Sequence, residues 1–389
     1  MRIKQLAIRT LFSTVVLFVG FISSCKDESV TIESEEEEIT PVELQLESVL
    51  SGLDRPWGFD FLDLRTMVIS DRDLGIYLYQ NNEGLSEEDK FEKISGVPEA
   101  ATNGQGGYFD VVKHPNYENN KLIYFSLSYG KDDKVSTALF RAKLDVLPVL
   151  VDLELLFQAT PMNNSGLHFG SRIVFDGNGH VFLSLGERGS MQTAQQTSNH
   201  NGCVIRLNED GSVPTDNPLY NANAQKPEIW TYGHRNVQGM AIHPVKGEIW
   251  THEHGPKGGD EINILDKGAN YGWPLATFGI DYNGTIISED TFVDGTVLPI
   301  YYWVPSIAPC GMNFYYSDSI PQWKGDLFLG ALAGKHLNHL KLDGHRVIEE
   351  ERLGEGKGRV RYVKQGPDGY LYFAKEQPGV IMRYRPLRN

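Results

Sequence analysis

The chain has 389 residues, 40% of them hydrophobic and 40 of them glycine, with 51 acidic side chains against 36 basic ones and a net charge of −15. That is enough apolar material for a large core, while the acidic balance argues against nucleic acid as a partner, because phosphate binding needs clustered Lys and Arg. No long apolar run lies beyond the N-terminus, so no internal membrane-spanning helix is expected.

Taken in chain order, the first predicted element is a targeting segment. Arg2, Lys4 and Arg9 precede the apolar run "TLFSTVVLFVGFI", which is followed by "ISSC" ending at Cys25. A charged head, a short apolar stretch and small residues read as a secretory signal over residues 1–24. A Cys in that position resembles a bacterial lipobox, with cleavage before Cys25 and a lipid anchor on its sulfur. Residues 25–44 are then a flexible acidic tether, since "KDESVTIESEEEEITP" cannot bury enough apolar surface to fold. The expected location is the periplasm or the cell surface of a Gram-negative bacterium. Beyond Cys25 only Cys203 and Cys310 remain, too few for a disulfide framework, and two separate buried thiols are expected.

From residue 45 to 389 a weak repeat governs the sequence: an apolar strand, a Gly, Asn or Asp turn, and a second strand rich in β-branched and aromatic residues. "RIVFDGNGHVFLSLGERG", "GMAIHPVKGEIWTHEHGP" and "VRYVKQGPDGYLYFAKEQPG" show it well. The second strands begin near Met67, Leu122, Val181, Ile249, Leu327 and Leu371. Six copies, with little helical periodicity anywhere, predict an all-β fold, a six-bladed β-propeller. Coincidental hairpins in a β-sandwich would not keep this phase.

The phase also predicts a site. In each copy the residues before the first strand and the loop after the second must share one face of the disc. Those positions hold Trp57, Gln105, His168, Arg235 with Asn236, and Arg359 with Arg361; the returning loops hold Glu187, Arg188 and the run "EHGPKGGDE". A channel mouth lined this way is the expected ligand site, and its arginines suit a small, planar anion. His168 is the candidate general base, unless it only ties two loops together. His252 and His254 alternate on one strand, but Glu253 points away from both and Gly255-Pro256 breaks the strand, which disfavours zinc. "GPKGG" is either a tight ligand-free turn or a presenter of backbone carbonyls, which suit Ca²⁺.

"HFGSRIVFD", "EIWTYGHRNVQGMAIHP", "EHGPKGGDEIN", "NYGWP" and "PSIAPCGM", in this order and spacing, resemble the glucose/sorbosone dehydrogenase family over about Val49 to Arg385. Its soluble members are pyrroloquinoline quinone (PQQ)-dependent sugar dehydrogenases on six-bladed propellers, and the aldose sugar dehydrogenases are the nearest type. The resemblance implies oxidation of an aldose at C1 to the lactone, with His168 as general base and PQQ as hydride acceptor. It implies cofactor-binding roles for Gln105, Gln192, Arg235, Asn236, Arg359 and Arg361, and a Ca²⁺ held by the carbonyls of Gly255 and Pro256. Electrons would leave to a membrane-linked acceptor. Three positions depart from the pattern: Ala333 stands where the best-known members have Lys (Lys335 is two residues on), Glu187 replaces a common Asp, and Cys310 a common Ser. A cofactor-free carbohydrate- or protein-binding propeller on the cell surface is the rival reading, and a Ca²⁺-dependent lactonase-type hydrolase a weaker one, since the rim carries Arg, Gln and His rather than convergent carboxylates.

Overall fold

Short alternating strands separated by tight turns cannot bury both faces alone, and here they stack as six four-stranded antiparallel sheets around one axis. The computed structural model describes residues 40–82 and 88–387. The signal segment, Cys25 and the tether up to residue 39 lie outside the described residues.

The innermost strands of the six blades are Pro56–Phe61, Tyr108–Lys113, Ile173–Phe175, Val237–Ile242, Pro309–Phe314 and Arg359–Gln365. The second strands open at Thr66, Leu122, His180, Ile249, Leu327 and Leu371, each within one residue of its predicted start. The sixth blade takes its outermost strand from the other end of the chain. Leu44–Leu53 pairs antiparallel with Gly379–Pro386, Leu44 opposite Pro386, and closes the ring. Ahead of it, Val42 exchanges backbone hydrogen bonds with the Gln322 side chain.

The core is a set of wedges between neighbouring blades. Phe125 and Phe140 fill the space between blades 1 and 2, Tyr124 and Ile205 that between 2 and 3, and Trp250 and Leu329 that between 4 and 5. Each blade therefore depends on its neighbours for burial. Cys203 and Cys310 are both buried and both free. Among the described residues no helix is long and apolar enough to cross a membrane.

One irregularity recurs and positions everything at the channel mouth. Five of the six innermost strands carry a β-bulge near their upper end, at Trp57, at Phe109-Asp110, at Gln238, at Gly311 and at Arg361. A bulge leaves the extra residue unpaired and re-aims it. The freed carbonyls of Trp57, Gln238 and Arg361 turn to Arg172 (3.3, 2.8 and 3.1 Å), that of Phe109 accepts the Ser70 hydroxyl, and that of Gly311 accepts Nε2 of His252 (2.8 Å). The His252 ring reaches Gly311 by lying over Gly239, where a Cβ would sit 2.0 Å from its Nε2.

Arg172 thereby touches every other blade. Besides the three carbonyls it meets Oδ1 of Asp110 (3.4 Å) and Sγ of Cys310 (3.9 Å), and its guanidinium lies 3.8 Å from the Trp57 ring centre and 4.7 Å from that of Tyr362. It is fully buried and forms the floor between the upper and lower halves of the channel.

Candidate active site

Above that floor lies a cavity of about 250 Å³, walled by the rings of Trp57, Phe109 and Phe169. Its polar lining comes from Gln105, Asn236, Gln238, His254 and the arginines Arg72, Arg359 and Arg361, with Ala333 at the rim. Arg359 and Arg361 are held in place from one carboxylate: Glu376 accepts Nε of Arg361 (2.7 Å) and Nε of Arg359 (3.1 Å). Burial pushes the Glu376 carboxyl up, but the two guanidinium groups outweigh it and hold it below the usual range. Arg361 also donates to Oε1 of Gln238 (3.3 Å) and to Sγ of Cys310 (3.1 Å), so the cavity floor is one hydrogen-bonded sheet of side chains.

A second cavity of about 390 Å³ shares Gln105 with the first and is lined by His168, Glu187, Arg235, Pro256, Trp273 and Tyr282, among others. His168 sits in the left-handed backbone region (φ 50°). Two groups hold it there. Its backbone N–H donates to Oε1 of Gln105 (2.9 Å), and its Nδ1 donates to Oε2 of Glu187 in a very short bond. A carboxylate only accepts, so Nδ1 carries a proton, and in the neutral ring the lone pair falls on Nε2. The loop is pinned by Arg188, whose guanidinium lies 3.6 Å from the Phe169 ring centre and donates to the carbonyls of Leu167 and Ser165. Burial lowers the Arg188 pKa to about 10.

Arg235 bridges to the turn that follows the second strand of its own blade. Its Nη1 donates to the carbonyls of Gly255 (2.9 Å) and His254 (3.2 Å). Asp260 fixes the turn from behind. It accepts from the Gly255 N–H (2.9 Å), the Ser306 hydroxyl (2.7 Å) and the N–H groups of Ile307 (2.8 Å) and Ala308 (2.9 Å). His252 and His254 are not turned toward a common point. They donate from Nε2 to the carbonyls of Gly311 and Pro309 (2.7 Å), and burial pushes the pKa of His252 down to about 3 and that of His254 well below its ordinary value. Among the described residues no three His, Cys, Asp or Glu side chains converge on a metal position.

The predicted positions thus fall in three groups. His168, Gln105, Arg235 and Pro256 line the second cavity, and Asn236, Arg359 and Arg361 line the first, with Gln105 common to both. Gly255 lies at the adjoining crevice beside Arg235. Gln192 lies apart, exposed on the short 3₁₀ helix Met191–Gln195 and lining neither cavity; its neighbour Met191 reaches the second one. Lys335 is exposed and outside both, whereas Ala333 lines the first. Sequence reasoning did not single out Arg172, Gln238 or Tyr282, and it named Glu187 without its His168 partner. The Glu187 pairing was discoverable, because both residues occupy equivalent top-face positions of one repeat.

The donor set fits a planar polyanion with a hard cation beside it. Flat aromatic walls, the buried Arg361 and half-buried Arg359, and paired amides suit a rigid carboxylated ring, and the Gly255-Pro256 turn offers backbone oxygens of the kind Ca²⁺ prefers.

Fold and site together define a six-bladed propeller with a cationic, aromatic-walled pocket at its channel mouth and a carboxylate-held histidine beside it. A family model for glucose/sorbosone dehydrogenases matches residues 53–383, and the chain belongs to that family. It is 42% identical over 353 residues to the aldose sugar dehydrogenase YliI of Escherichia coli K12, spanning 89% of this chain and 94% of that protein. The apo-form crystal structure of the soluble aldose sugar dehydrogenase of Escherichia coli superposes with a TM-score of 0.82 at 40% identity, covering 89% of this chain and all of that one. Quinoprotein glucose dehydrogenase B of Acinetobacter calcoaceticus is 31% identical over 261 residues, 58% of this chain and 51% of its own length.

Proposed function

We propose that the protein is a PQQ- and Ca²⁺-dependent aldose dehydrogenase that oxidises its sugar at C1 to the lactone. The observation that carries this reading is the His168–Glu187 pair, set in a cavity that adjoins the cationic one. When bound, PQQ with its Ca²⁺ supplies the hydride acceptor and the charge that polarises it. Arg359, Arg361, Asn236 and Gln105 would hold the cofactor, joined by Arg235 from the side of the second cavity, and the carbonyls of Gly255 and Pro256 would hold the cation. The chain's own chemistry is at His168. Nε2 takes the proton from the C1 hydroxyl, and Glu187 stabilises the imidazolium that forms. Gln105 fixes the backbone of His168 and so the direction of that lone pair. The names of the Escherichia coli and Acinetobacter relatives support both the substrate class and the quinone.

Adding PQQ and Ca²⁺ to the apo protein and following dye reduction with a panel of aldoses tests the proposal. Reduction that needs all three components is the expected result. Absence of PQQ binding in saturating Ca²⁺ would overturn it and favour a cofactor-free binding propeller.

Arg235→Ala is expected to weaken PQQ binding by about one to two decades, since a charge-assisted hydrogen bond contributes roughly 1.5–3 kcal/mol and 1.4 kcal/mol is about tenfold. The same change frees the Gly255 carbonyl from its donor. Chelating Ca²⁺ should weaken PQQ by the factor by which PQQ tightens Ca²⁺, because linkage is reciprocal. Calorimetry of PQQ with and without Ca²⁺, for wild type and variant, reads both effects.

The mature chain is further proposed to be exported and lipid-anchored through Cys25, from where electrons would pass to a membrane-linked carrier. The "ISSC" sequence motivates the anchor. Cys25→Ala should move the protein from the membrane to the soluble fraction of its host, and retention in the membrane would remove the lipid from the account.

A further inference from the structure

The cavity beside His168 has two unlike halves. Its inner, buried half is polar, with His168, Glu187 and Arg235; its outer, more exposed half carries the apolar Leu167, Met191, Ile287 and the ring of Tyr282 beside Gln105 and Asp281. C1 chemistry on one sugar ring accounts for the inner half only.

Tyr282 is 68% exposed. A large aromatic left in solvent is unremarkable in a mobile loop, but this one is held. It sits in a tight turn closed by Asp281 N–H to Thr285 carbonyl (2.9 Å) and Gly284 N–H to Asp281 carbonyl (2.8 Å). Inside the turn the Asn283 side chain accepts from both the N–H and the hydroxyl of Thr285 (2.8 Å each). The turn is in turn tied to the carbonyl-presenting loop of the site: Lys257 N–H donates to Ile280 (2.9 Å) and Ile280 N–H to Lys257 (3.4 Å). The connection that carries it, between Asp260–Ile264 and Tyr301–Trp303, is the long excursion of blade 4. A rigid mount, an open aromatic face and a neighbouring carboxylate, Asp281, in the same cavity wall are the features of a sugar platform. The ring's face covers the C–H side of a pyranose, and the carboxylate accepts from its hydroxyls.

We infer that Tyr282 is a specificity-determining residue that stacks on the sugar ring next to the one being oxidised, so that the preferred substrate is the reducing end of an oligosaccharide. The inference rests on the dehydrogenase reading for the identity of the reacting ring, and it adds the second ring and the residue that selects it. A monosaccharide reaches His168 but leaves the outer half empty; a chain of two or three rings fills it.

The test uses the full chain loaded with PQQ and Ca²⁺. KM and kcat are measured by dye reduction for glucose, maltotriose and cellotriose, which present two linkage geometries. For the wild type, KM is expected to fall about tenfold from glucose to at least one trisaccharide, with kcat within about twofold, as expected for binding energy used alike in ground and transition states. Tyr282→Ala should abolish that difference, and Tyr282→Phe, which keeps the ring, should retain it. A wild type with equal KM for all three sugars, or an alanine variant that keeps the preference, overturns the inference while leaving the dehydrogenase intact. If no sugar reduces the dye, the dehydrogenase reading fails. Trisaccharide titration by tryptophan fluorescence, reporting on Trp273 in the same wall, then decides the role of Tyr282: saturable binding weakened about tenfold by Tyr282→Ala upholds it, and no binding removes it.

Discussion

Replacing His168 by alanine is expected to lower kcat for aldose oxidation by about 10²–10⁴-fold, the usual contribution of a positioned general base, while PQQ binding stays within a few-fold of wild type. The separation follows from the geometry. His168 lines the cavity it shares with Glu187 and Arg235, and the cationic pocket is lined by other residues except for Gln105. Glu187→Gln is the companion variant. It keeps an acceptor at Nδ1 but removes the negative charge that stabilises the imidazolium, so kcat should fall by less than in His168→Ala. Rapid-mixing dye reduction with calorimetric PQQ titration separates the two quantities. Near-normal turnover in His168→Ala would leave that histidine as a loop tie and nothing more.

The largest expected effect on the fold belongs to Arg172. Arg172→Met keeps much of the volume and the contact with Trp57 and Tyr362 but removes the charge and all the donors. It leaves Asp110 buried with its main cationic partner gone, and three bulge carbonyls without their donor. Breaking a buried ion pair from one side costs about 3–5 kcal/mol, a large part of the stability of an ordinary domain. Denaturant unfolding should show a loss in that range. Arg172→Lys, which restores a charge but not the planar fork, should recover only part of it. Burial already holds the Asp110 carboxyl above its ordinary range, so Arg172→Met combined with Asp110→Asn should be less destabilised than the single change. A single variant within about 1 kcal/mol of wild type, the upper end of what a weak exposed pair contributes, would show that the ring does not depend on this contact.

The repeat phase made much of this legible in the sequence. A strand, a turn and a second strand recur because each blade has the same interior to fill, and that fixed which loops share the upper face. Hence His168, Arg235, Arg359 and Arg361 could be placed together although they are spread over nearly 200 residues. Arg172 escaped notice for a definite reason. Its importance comes from bulges in three other strands, and a bulge is a shift in pairing register that leaves no mark on hydrophobic periodicity. Gln192 illustrates the opposite error. Its cofactor role was implied by the family resemblance and not by the phase; it lies in a connection outside the repeat, and there Met191, not Gln192, lines the cavity. The partner of His252 was not legible either: it is a bulge carbonyl on the next blade, which only the assembled ring supplies.

The clasp between Leu44–Leu53 and Gly379–Pro386 imposes an order on assembly during synthesis. Glu47 finds its partner Arg383 across a sequence separation of 336 residues. The first described strand of the propeller therefore emerges from the ribosome among the earliest segments and stays unpaired until the last strand is made. Five blades can zip against their neighbours as they appear, but the sixth waits, and the growing chain carries an open β-edge at one end throughout. A stalled or clipped chain lacking Gly379–Pro386 would keep that edge exposed, ready to pair with another chain. Closing the circle is thus also the step that removes the molecule's main hazard of sticking to its own kind.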